Sequence, residues 1–207
     1  MVPSLFEEDV VVCVSKEIQD WVVSERGHQE GVILVPNGVD QDVFKPSATK
    51  RPDSLPPDNI PLIGFTGTFR PWHGIQDLLT SFEYLVKDLG SDAHLLCIGD
   101  GPEKPAFEVN VQQKGLMDRV HFTGSIPHSA VGEWLGHCNL GVAPYPEMEE
   151  FWFSPLKIYE YFSCGMPVVA TNRGQIGDLV IDGRGTLADS GDTRMFAEGM
   201  KKELSRL

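Results

Sequence analysis

The sequence predicts an α/β fold with a doubly wound, mostly parallel sheet, and two observations support this prediction. From Pro61 onward, short apolar runs alternate with longer stretches of helical pattern. The short runs are apolar at nearly every position, which is typical of parallel strands with both faces buried under helices. The predicted strands are Leu62–Thr66, Leu95–Ile98, Val120–Thr123, Leu140–Ala143 and Val168–Thr171. The predicted helices are Ile75–Leu89, Glu103–Lys114, Ala130–His137 and Pro155–Ser163, with further helical stretches near Gln175–Val180 and Thr193–Leu207.

Ahead of this pattern lies a shorter opening unit. An apolar run at Val10–Val14 predicts a strand, and Ser15 is a candidate cap for a helix that Gly27 ends. A second short strand is predicted at Val32–Val35. The proline-rich stretch 46–60 has the composition of a surface loop or linker. We therefore expect an opening piece at 1–45, a loop at 46–60 and the main domain at 61–207.

Composition excludes several partners. The net charge of −13 and the pI of about 4.8 argue against a nucleic-acid backbone or an anionic membrane as the main partner. No apolar run approaches the roughly 20 residues of a membrane span, and the first residues lack the pattern of a signal peptide. The four cysteines show no C-x-x-C spacing, so we expect reduced core residues in a cytoplasmic protein.

The stretch Glu149–Ala170 holds the sharpest functional signal. Ser154 is predicted to cap a helix with Pro155 at its first position, and Lys157 follows within the first turn. Free amides, the helix dipole and a lysine together predict a site for a phosphate or diphosphate. The alternative is an ordinary capped helix with a solvated lysine.

Other stretches converge on the same edge, because ligands of open parallel sheets bind beyond the carboxyl ends of the strands. The first main strand runs into a loop from Gly67 to Gly74, in which Arg70 and His73 supply donor or positive groups. The second ends in Gly-Asp-Gly-Pro at 99–102, which lacks the third glycine of a dinucleotide fingerprint. The third ends in Gly-Ser-Ile-Pro at 124–127. Each one taken singly is also explained by turn chemistry alone.

At this point the sequence resembles a known family. The series VPNGVD, GTFRPWHG, IGDGP, HFTGSIP and SPLKIYEYFSCGMPVVAT is similar, in order and spacing, to the C-terminal half of the GT-B retaining glycosyltransferases of family four. The similarity runs from about Val10 to about Asp182. It implies a Rossmann-like half of a GT-B enzyme that binds a nucleoside-diphosphate sugar without a metal or other cofactor. A separate N-terminal half, absent here, would bind the acceptor.

The resemblance also implies roles for individual residues. Gly67 and Thr68 would approach the donor phosphates, Glu160 would accept from the ribose hydroxyls, and Arg70 and Lys157 would stabilise the leaving diphosphate together with the amides at 156 and 157. Ser125 and Ile126 would face the base. The predicted donor-binding residues are Gly67, Thr68, Phe69, His73, Ser125, Ile126, Phe153, Ser154, Pro155, Leu156 and Glu160.

The chain also departs from the family pattern. The family often has a glycine–arginine pair where this chain has Gly67-Thr68, and a lysine where it has His73. Trp152 stands at the place of a second family glutamate, although Glu149 and Glu150 lie just upstream. His73 is interpreted as a donor or a loop-packing residue rather than a general base. For Glu160 the alternative to a ribose contact is a structural partner, because burying an unpaired carboxylate is costly.

The predicted function is therefore donor binding for sugar transfer to a glycan or lipid-linked acceptor. Without an acceptor half we expect the chain to be inactive alone, as an excised fragment or as a short protein that works with a partner. Membrane contact is expected only through the absent half. The alternatives are a non-catalytic nucleotide-sugar binding module and, with less support, a metal-dependent transferase that uses Asp40-Gln41-Asp42.

Overall fold

The computed structural model of the protein describes residues 10–149, 151, 152, 154–181 and 183–207. The strands are β1 (Val11–Cys13), β2 (Val32–Leu34), β3 (Leu62–Thr66), β4 (His94–Ile98), β5 (Val120–Gly124), β6 (Leu140–Ala143), β7 (Val168–Thr171) and β8 (Gly185–Ala188). The helices are α1 (Lys16–Arg26), α2 (Ile75–Lys87), α3 (Lys104–Gln113), α4 (His128–Leu135), α5 (Leu156–Ser163), α6 (Ile176–Leu179) and α7 (Thr193–Leu204), with 3₁₀ turns at Pro71–His73 and Met117–Arg119.

The main sheet has six strands in the order β5-β4-β3-β6-β7-β8, and all of its pairings are parallel. The strand order reverses between β3 and β6, so the two halves of the sheet wind away from each other there. The sequence prediction of a doubly wound parallel sheet is therefore confirmed. Such a reversal opens a crevice at the carboxyl ends of the two central strands.

Helices cover both faces of this sheet. One core cluster packs α2, α3 and α7 against one face, with Leu79, Phe107 and Phe196 among its buried members. The second packs α4, α5 and α6 against the other face, with Leu135 and Tyr161 at its centre. The four cysteines are buried and unbonded to one another, as the sequence predicts.

One strand was missing from the prediction. Strand β8 pairs with β7 over four residues and completes the sheet beneath α7. Its sequence, Gly-Thr-Leu-Ala, offers two poor strand formers and no apolar run, so pairing and burial stabilise a segment that local propensity does not favour. Helix α4 begins two residues earlier than predicted, and the other helix ends agree within a few residues.

The opening unit forms a small parallel β1-α1-β2 layer around Cys13, Val22 and Val32. It is attached to the main domain, since Gln175 donates from Nε2 to the carbonyl of Val14 at 2.8 Å. The side of β1 and β2 that faces away from this small core is apolar and exposed in the described part of the chain.

The proline-rich segment is irregular, as predicted for a loop, but it is firmly anchored. Arg51 is only 6% exposed, and its guanidinium donates to four carbonyls and one side-chain amide. The amide oxygen belongs to Asn139, which also accepts from the backbone of Leu62 at the start of β3. The acceptors are Pro56, Pro57, Ile60, His137 and Asn139. The segment is therefore held to the main sheet and is not a free linker.

No helix among the described residues is long and apolar enough to cross a membrane.

Candidate functional site

The crevice between β3 and β6 is bridged by one side chain from α5. The last paired residues of these strands are Gly64 and Gly141, and beyond them the strands separate. The Tyr161 hydroxyl accepts from the Thr66 amide at 3.0 Å and donates to the Val142 carbonyl at 3.1 Å. A β-carbon on Gly141 would lie 2.4 Å from the Tyr161 ring, so only glycine lets the helix sit this deep. These contacts hold the first turn of α5 at the mouth of the crevice.

Lys157 lies in that turn and is nearly buried. Its Nζ is 4.7 Å from the ring centroid of Phe65 and 5.1 Å from that of Tyr145. Within the described residues the ammonium has no hydrogen-bond partner. Burial lowers the pKa of Lys157 to about 7, although the charge of Glu160 opposes this effect. The side chain therefore has no hydrogen-bond acceptor beside it in the described structure, and near pH 7 it is only partly charged.

His73 stands opposite, in the 3₁₀ turn that follows β3. A β-carbon on Gly67 would lie 2.8 Å from His73 Nδ1, and this buried nitrogen has no partner in the described part of the chain. Burial, and then the positive charges of Lys157 and Arg70, lower the pKa of His73 to about 3. The imidazole is therefore neutral near pH 7 and can donate or accept one hydrogen bond.

Two close backbone contacts fix the loop that carries His73. Gly74 has φ +62°, and a β-carbon there would lie 1.5 Å from the Pro144 carbonyl oxygen. On the other side, a β-carbon on Gly101 would lie 1.7 Å from the Thr68 carbonyl oxygen. The Gly-Asp-Gly-Pro stretch thus has a structural task, which is to let the β4 and β3 loops touch.

Glu160 lies one turn further along α5, with its side chain 14% exposed. Its Oε1 is 3.6 Å from Nε2 of His128, the first residue of α4. Burial raises the pKa of Glu160, while His128 and Lys157 oppose the rise. The ring of His128 is itself held edge to face against Phe44, with the centroids 5.3 Å apart. The carboxylate therefore has a partner, which the sequence did not reveal.

The predicted cap of α5 is wrong. The helix begins at Leu156, Pro155 occupies the cap position, and Ser154 Oγ is buried without a hydrogen-bond partner among the described residues. Proline at the cap puts Ser154 one residue too early for its hydroxyl to reach the first-turn amides. The Leu156 amide instead donates to the Ser154 carbonyl at 2.9 Å, and the Ile158 amide to the Pro155 carbonyl at 2.9 Å. The Leu156 amide is thus already bonded and is not a free donor for an anion.

Phe69 lies between the loop and the core. Its side chain is fully buried, with its ring edge to face against Phe65 at 5.6 Å and Phe107 at 5.9 Å. Its φ of +43° turns the loop so that the ring enters the core while the next residue, Arg70, faces solvent. The ring of Phe69 is therefore part of the core, and any contact of Phe69 with a donor would come from its backbone.

The remaining predicted residues differ in their exposure. Thr68, Ser125 and Leu156 are exposed, and Ile126 is partly buried against the second core cluster. The Arg70 guanidinium lies over the Trp72 ring, 5.7 Å from its centroid. Phe153 and Glu150 lie outside the described residues, and Glu149 is exposed.

Trp152, at the place of the second family glutamate, packs edge to face against Trp21 of α1 with centroids 6.0 Å apart. The loop before α5 therefore touches the opening unit. Three residues that shape the site, Phe65, Tyr145 and Tyr161, were not predicted. Only Tyr145, between two prolines at a strand end, carried a local signal.

Within the described ranges no group of three or more His, Cys, Asp or Glu side chains is arranged to hold a metal ion. Asp40 and Asp42, the rival metal pair, are both exposed, and the carboxylate of Asp40 accepts from the Asp42 amide at 2.9 Å. Their arrangement is that of a turn.

Comparison with known families identifies the fold and its relatives. The model of the family described as "Glycosyl transferases group 1" matches residues 60–206. The chain belongs to the group 1 glycosyltransferases. This domain therefore has the family membership and the fold that the motif series predicts.

Two relatives show what this glycosyltransferase domain is similar to. It is 30% identical over 207 residues to a phosphatidylinositol N-acetylglucosaminyltransferase subunit of Arabidopsis thaliana, and the match covers 99% of this chain and 43% of the relative. It is 30% identical over 192 residues to a 2-deoxystreptamine glucosyltransferase of Streptomyces kanamyceticus, covering 88% of this chain and 48% of the relative. The chain thus spans less than half the length of these two relatives.

Solved structures of other proteins share the fold of this domain. Sucrose-phosphate synthase from Thermosynechococcus elongatus superposes with a TM-score of 0.76 at 26% identity, over 97% of this chain and 50% of that one. Anabaena HepE, solved in complex with UDP and glucose, gives a TM-score of 0.75 at 21% identity, over 95% of this chain and 53% of that one. The domain has the fold of one half of a GT-B enzyme.

Proposed function

We propose that this glycosyltransferase domain binds a nucleoside-diphosphate sugar, with the diphosphate in the crevice between β3 and β6. The observation that carries the proposal is a set of three buried polar atoms without partners among the described residues, Ser154 Oγ, Lys157 Nζ and His73 Nδ1. Leaving such groups unsatisfied is costly, and Lys157 lies close enough to His73 for its charge to lower the pKa of that histidine, so a polar ligand is favoured beside the strand-order reversal. A diphosphate offers several acceptors and the negative charge that Lys157 lacks.

In this proposal each side chain has a defined task. Lys157 binds the diphosphate and, with Arg70, stabilises the charge that develops as the sugar–phosphate bond breaks. Neutral His73 donates a hydrogen bond to the same group. Glu160 accepts from the ribose hydroxyls, and Ser125 and Ile126 face the base. Retention of configuration, and a mechanism without metal, follow from the family resemblance.

Calorimetry tests the site. Titrations with UDP, GDP and ADP, each with and without magnesium, should show binding of at least one nucleotide. Lys157→Ala and Glu160→Ala should each weaken that binding by roughly 10- to 150-fold, because each removes a charged hydrogen bond worth about 1.5–3 kcal/mol. Lys202→Ala, at an exposed position on α7, is the matched control and should change nothing. If Lys157→Ala and Glu160→Ala both bind the nucleotide as tightly as the wild-type protein and the control do, the proposed site is refuted.

We further propose that an acceptor-binding half packs on the exposed side of β1 and β2. Val12 and Ile33 are paired in register and are 56% and 46% exposed, and three more apolar neighbours are also exposed. A two-stranded layer is too small to be stable alone, so an apolar side of this size fits a second sheet. Val12→Lys with Ile33→Lys should abolish association with a separately produced acceptor domain and leave nucleotide affinity unchanged.

A second candidate function is a non-catalytic module that binds the nucleotide-sugar without turnover. The observation favouring it is Trp152, an indole packed on Trp21 where the family often has a glutamate. Mixing the chain with a separately produced acceptor domain and assaying sugar transfer separates the two. Transfer by the mixture would exclude the module, and tight binding without transfer would support it.

A further inference from the structure

The environment of Lys157 makes its charge state unusual for a lysine. The residue is 8% exposed, its Nζ contacts two aromatic rings, and no hydrogen-bond acceptor reaches it among the described residues. Ring faces attract a cation, but they replace only part of the hydration that a buried ammonium loses. In the free protein the neutral amine therefore competes with the ammonium.

The groups on α5 and α4 do not stabilise the ammonium form of Lys157 through an ion pair. Glu160 favours the ammonium electrostatically, but its carboxylate is itself buried and lies 3.6 Å from His128. No ion pair between Lys157 and Glu160 forms within 4.0 Å in the described structure. Among the described residues, no carboxylate on this side therefore forms an ion pair with Lys157.

The groups on the facing elements oppose the charge or are neutral. Arg70 and His73 lie in the loop after β3, and the positive charge of Lys157 acts on His73 unfavourably. Tyr145, after β6, presents its ring, and burial raises the pKa of its phenol. The Tyr161 hydroxyl is already bonded to the backbone of two strands. With burial dominant, the pKa of Lys157 falls to about 7.

We propose that binding of a nucleoside diphosphate in this crevice is coupled to uptake of one proton by the amine of Lys157. The inference rests on the function proposed above and adds a proton to its stoichiometry. A diphosphate beside the amine supplies the negative charge and the acceptors that the free site lacks, and so returns the group to its charged form. The reaction product that leaves the site would release that proton again.

The sign and size of the effect follow from linkage. At pH 8 about nine-tenths of the free sites carry a neutral amine, so the amine takes up about 0.9 proton on binding. At pH 6 the share taken up by the amine falls to about 0.1. The contribution of Lys157 to the pH dependence should be small below pH 6.5, and affinity should fall by up to about tenfold per pH unit above pH 7.5. A phosphate ester has its second pKa near 6, so at pH 8 the nucleotide itself is fully ionised and contributes little.

The test is calorimetric titration of the chain with UDP, GDP, ADP and inorganic pyrophosphate at pH 8, in three buffers of different ionisation enthalpy. The slope of the observed enthalpy against the ionisation enthalpy gives the number of protons taken up. We expect about 0.9 at pH 8 and, because the terminal phosphate of the free nucleotide is itself partly protonated near pH 6, a smaller uptake or a net release at pH 6. Binding with less than about 0.2 proton at pH 8 would overturn the inference and leave the proposed function standing. Failure of all four probes to bind would overturn both.

Two variants assign the proton. Lys157→Arg keeps the positive charge at any pH, so it should bind without uptake and with an affinity that is flat between pH 6.5 and 8.5. His73→Gln removes the other group with a lowered pKa and should retain the uptake. Should arginine not fit the pocket and the variant not fold, Lys157→Met serves instead, with weak binding and no uptake. Uptake that disappears in His73→Gln would contradict the assignment to Lys157.

Discussion

Replacing Tyr161 with phenylalanine tests whether one hydroxyl holds the site helix to the sheet. The hydroxyl joins β3 to β6 where the two strands have separated, through bonds of 3.0 Å to the Thr66 amide and 3.1 Å to the Val142 carbonyl. The ring is fully buried, so the substitution leaves the packing almost unchanged. It therefore removes two hydrogen bonds and little else.

The expected cost follows from those two bonds. A buried backbone group that loses its partner costs about 1–3 kcal/mol, and the Thr66 amide, being only partly buried, can recover some of this from water. We expect Tyr161→Phe to lower the free energy of unfolding by about 2–4 kcal/mol. Since Lys157 is carried on the same helix, nucleotide affinity should fall as well.

Urea denaturation followed by circular dichroism measures the change. The matched control is Tyr159→Phe, the same substitution two residues earlier on α5. Tyr159 is partly exposed, and its hydroxyl makes no hydrogen bond within the described structure. Its effect should stay within about 0.5 kcal/mol. A Tyr161→Phe protein as stable as the Tyr159→Phe protein would show that the bridge does not hold the helix.

Three further predictions concern stability. Lys157→Met should stabilise the free protein by about 4–5 kcal/mol at pH 6 and by only about 1 kcal/mol near pH 10. The folded pKa of Lys157 is lowered from 10.5 to about 7, so between these values the unfolded wild-type chain binds more protons and wild-type stability rises with pH. Equal gains at pH 6 and 10 by denaturant titration would exclude a depressed pKa. Gly74→Ala, whose β-carbon would meet a carbonyl oxygen at 1.5 Å, should lower the melting temperature strongly, whereas Gly90→Ala, also at positive φ but in open space, should cost about 1 kcal/mol. Arg51→Met should lower the free energy of unfolding by about 3 kcal/mol, because several buried carbonyls lose their donor. The variant should also expose the loop 46–60 to limited proteolysis. Unchanged protease resistance would show that Arg51 does not anchor the loop.

Much of the fold was predictable because its signals are local. Alternation of apolar runs with helical pattern identified five of the six main strands and the parallel sheet, and the motif series identified the family. The sequence prediction missed strand β8, because Gly185–Ala188 has no apolar pattern of its own and forms a strand only through pairing with β7. The predicted cap at Ser154 failed for the opposite reason: the residue type suits a cap, but the position of Pro155 shifts the helix start by one residue.

The sequence by itself determined that a lysine and a glutamate lie on one short helix at the carboxyl edge of a parallel sheet. Only the tertiary structure decided that the lysine is buried between Phe65 and Tyr145 with no acceptor in the described residues, and that His128 faces Glu160. Helical spacing and strand patterns depend on neighbours a few residues apart. Burial, and with it the charge of Lys157, depends on groups from three separate elements that the chain brings together only when the sheet has formed.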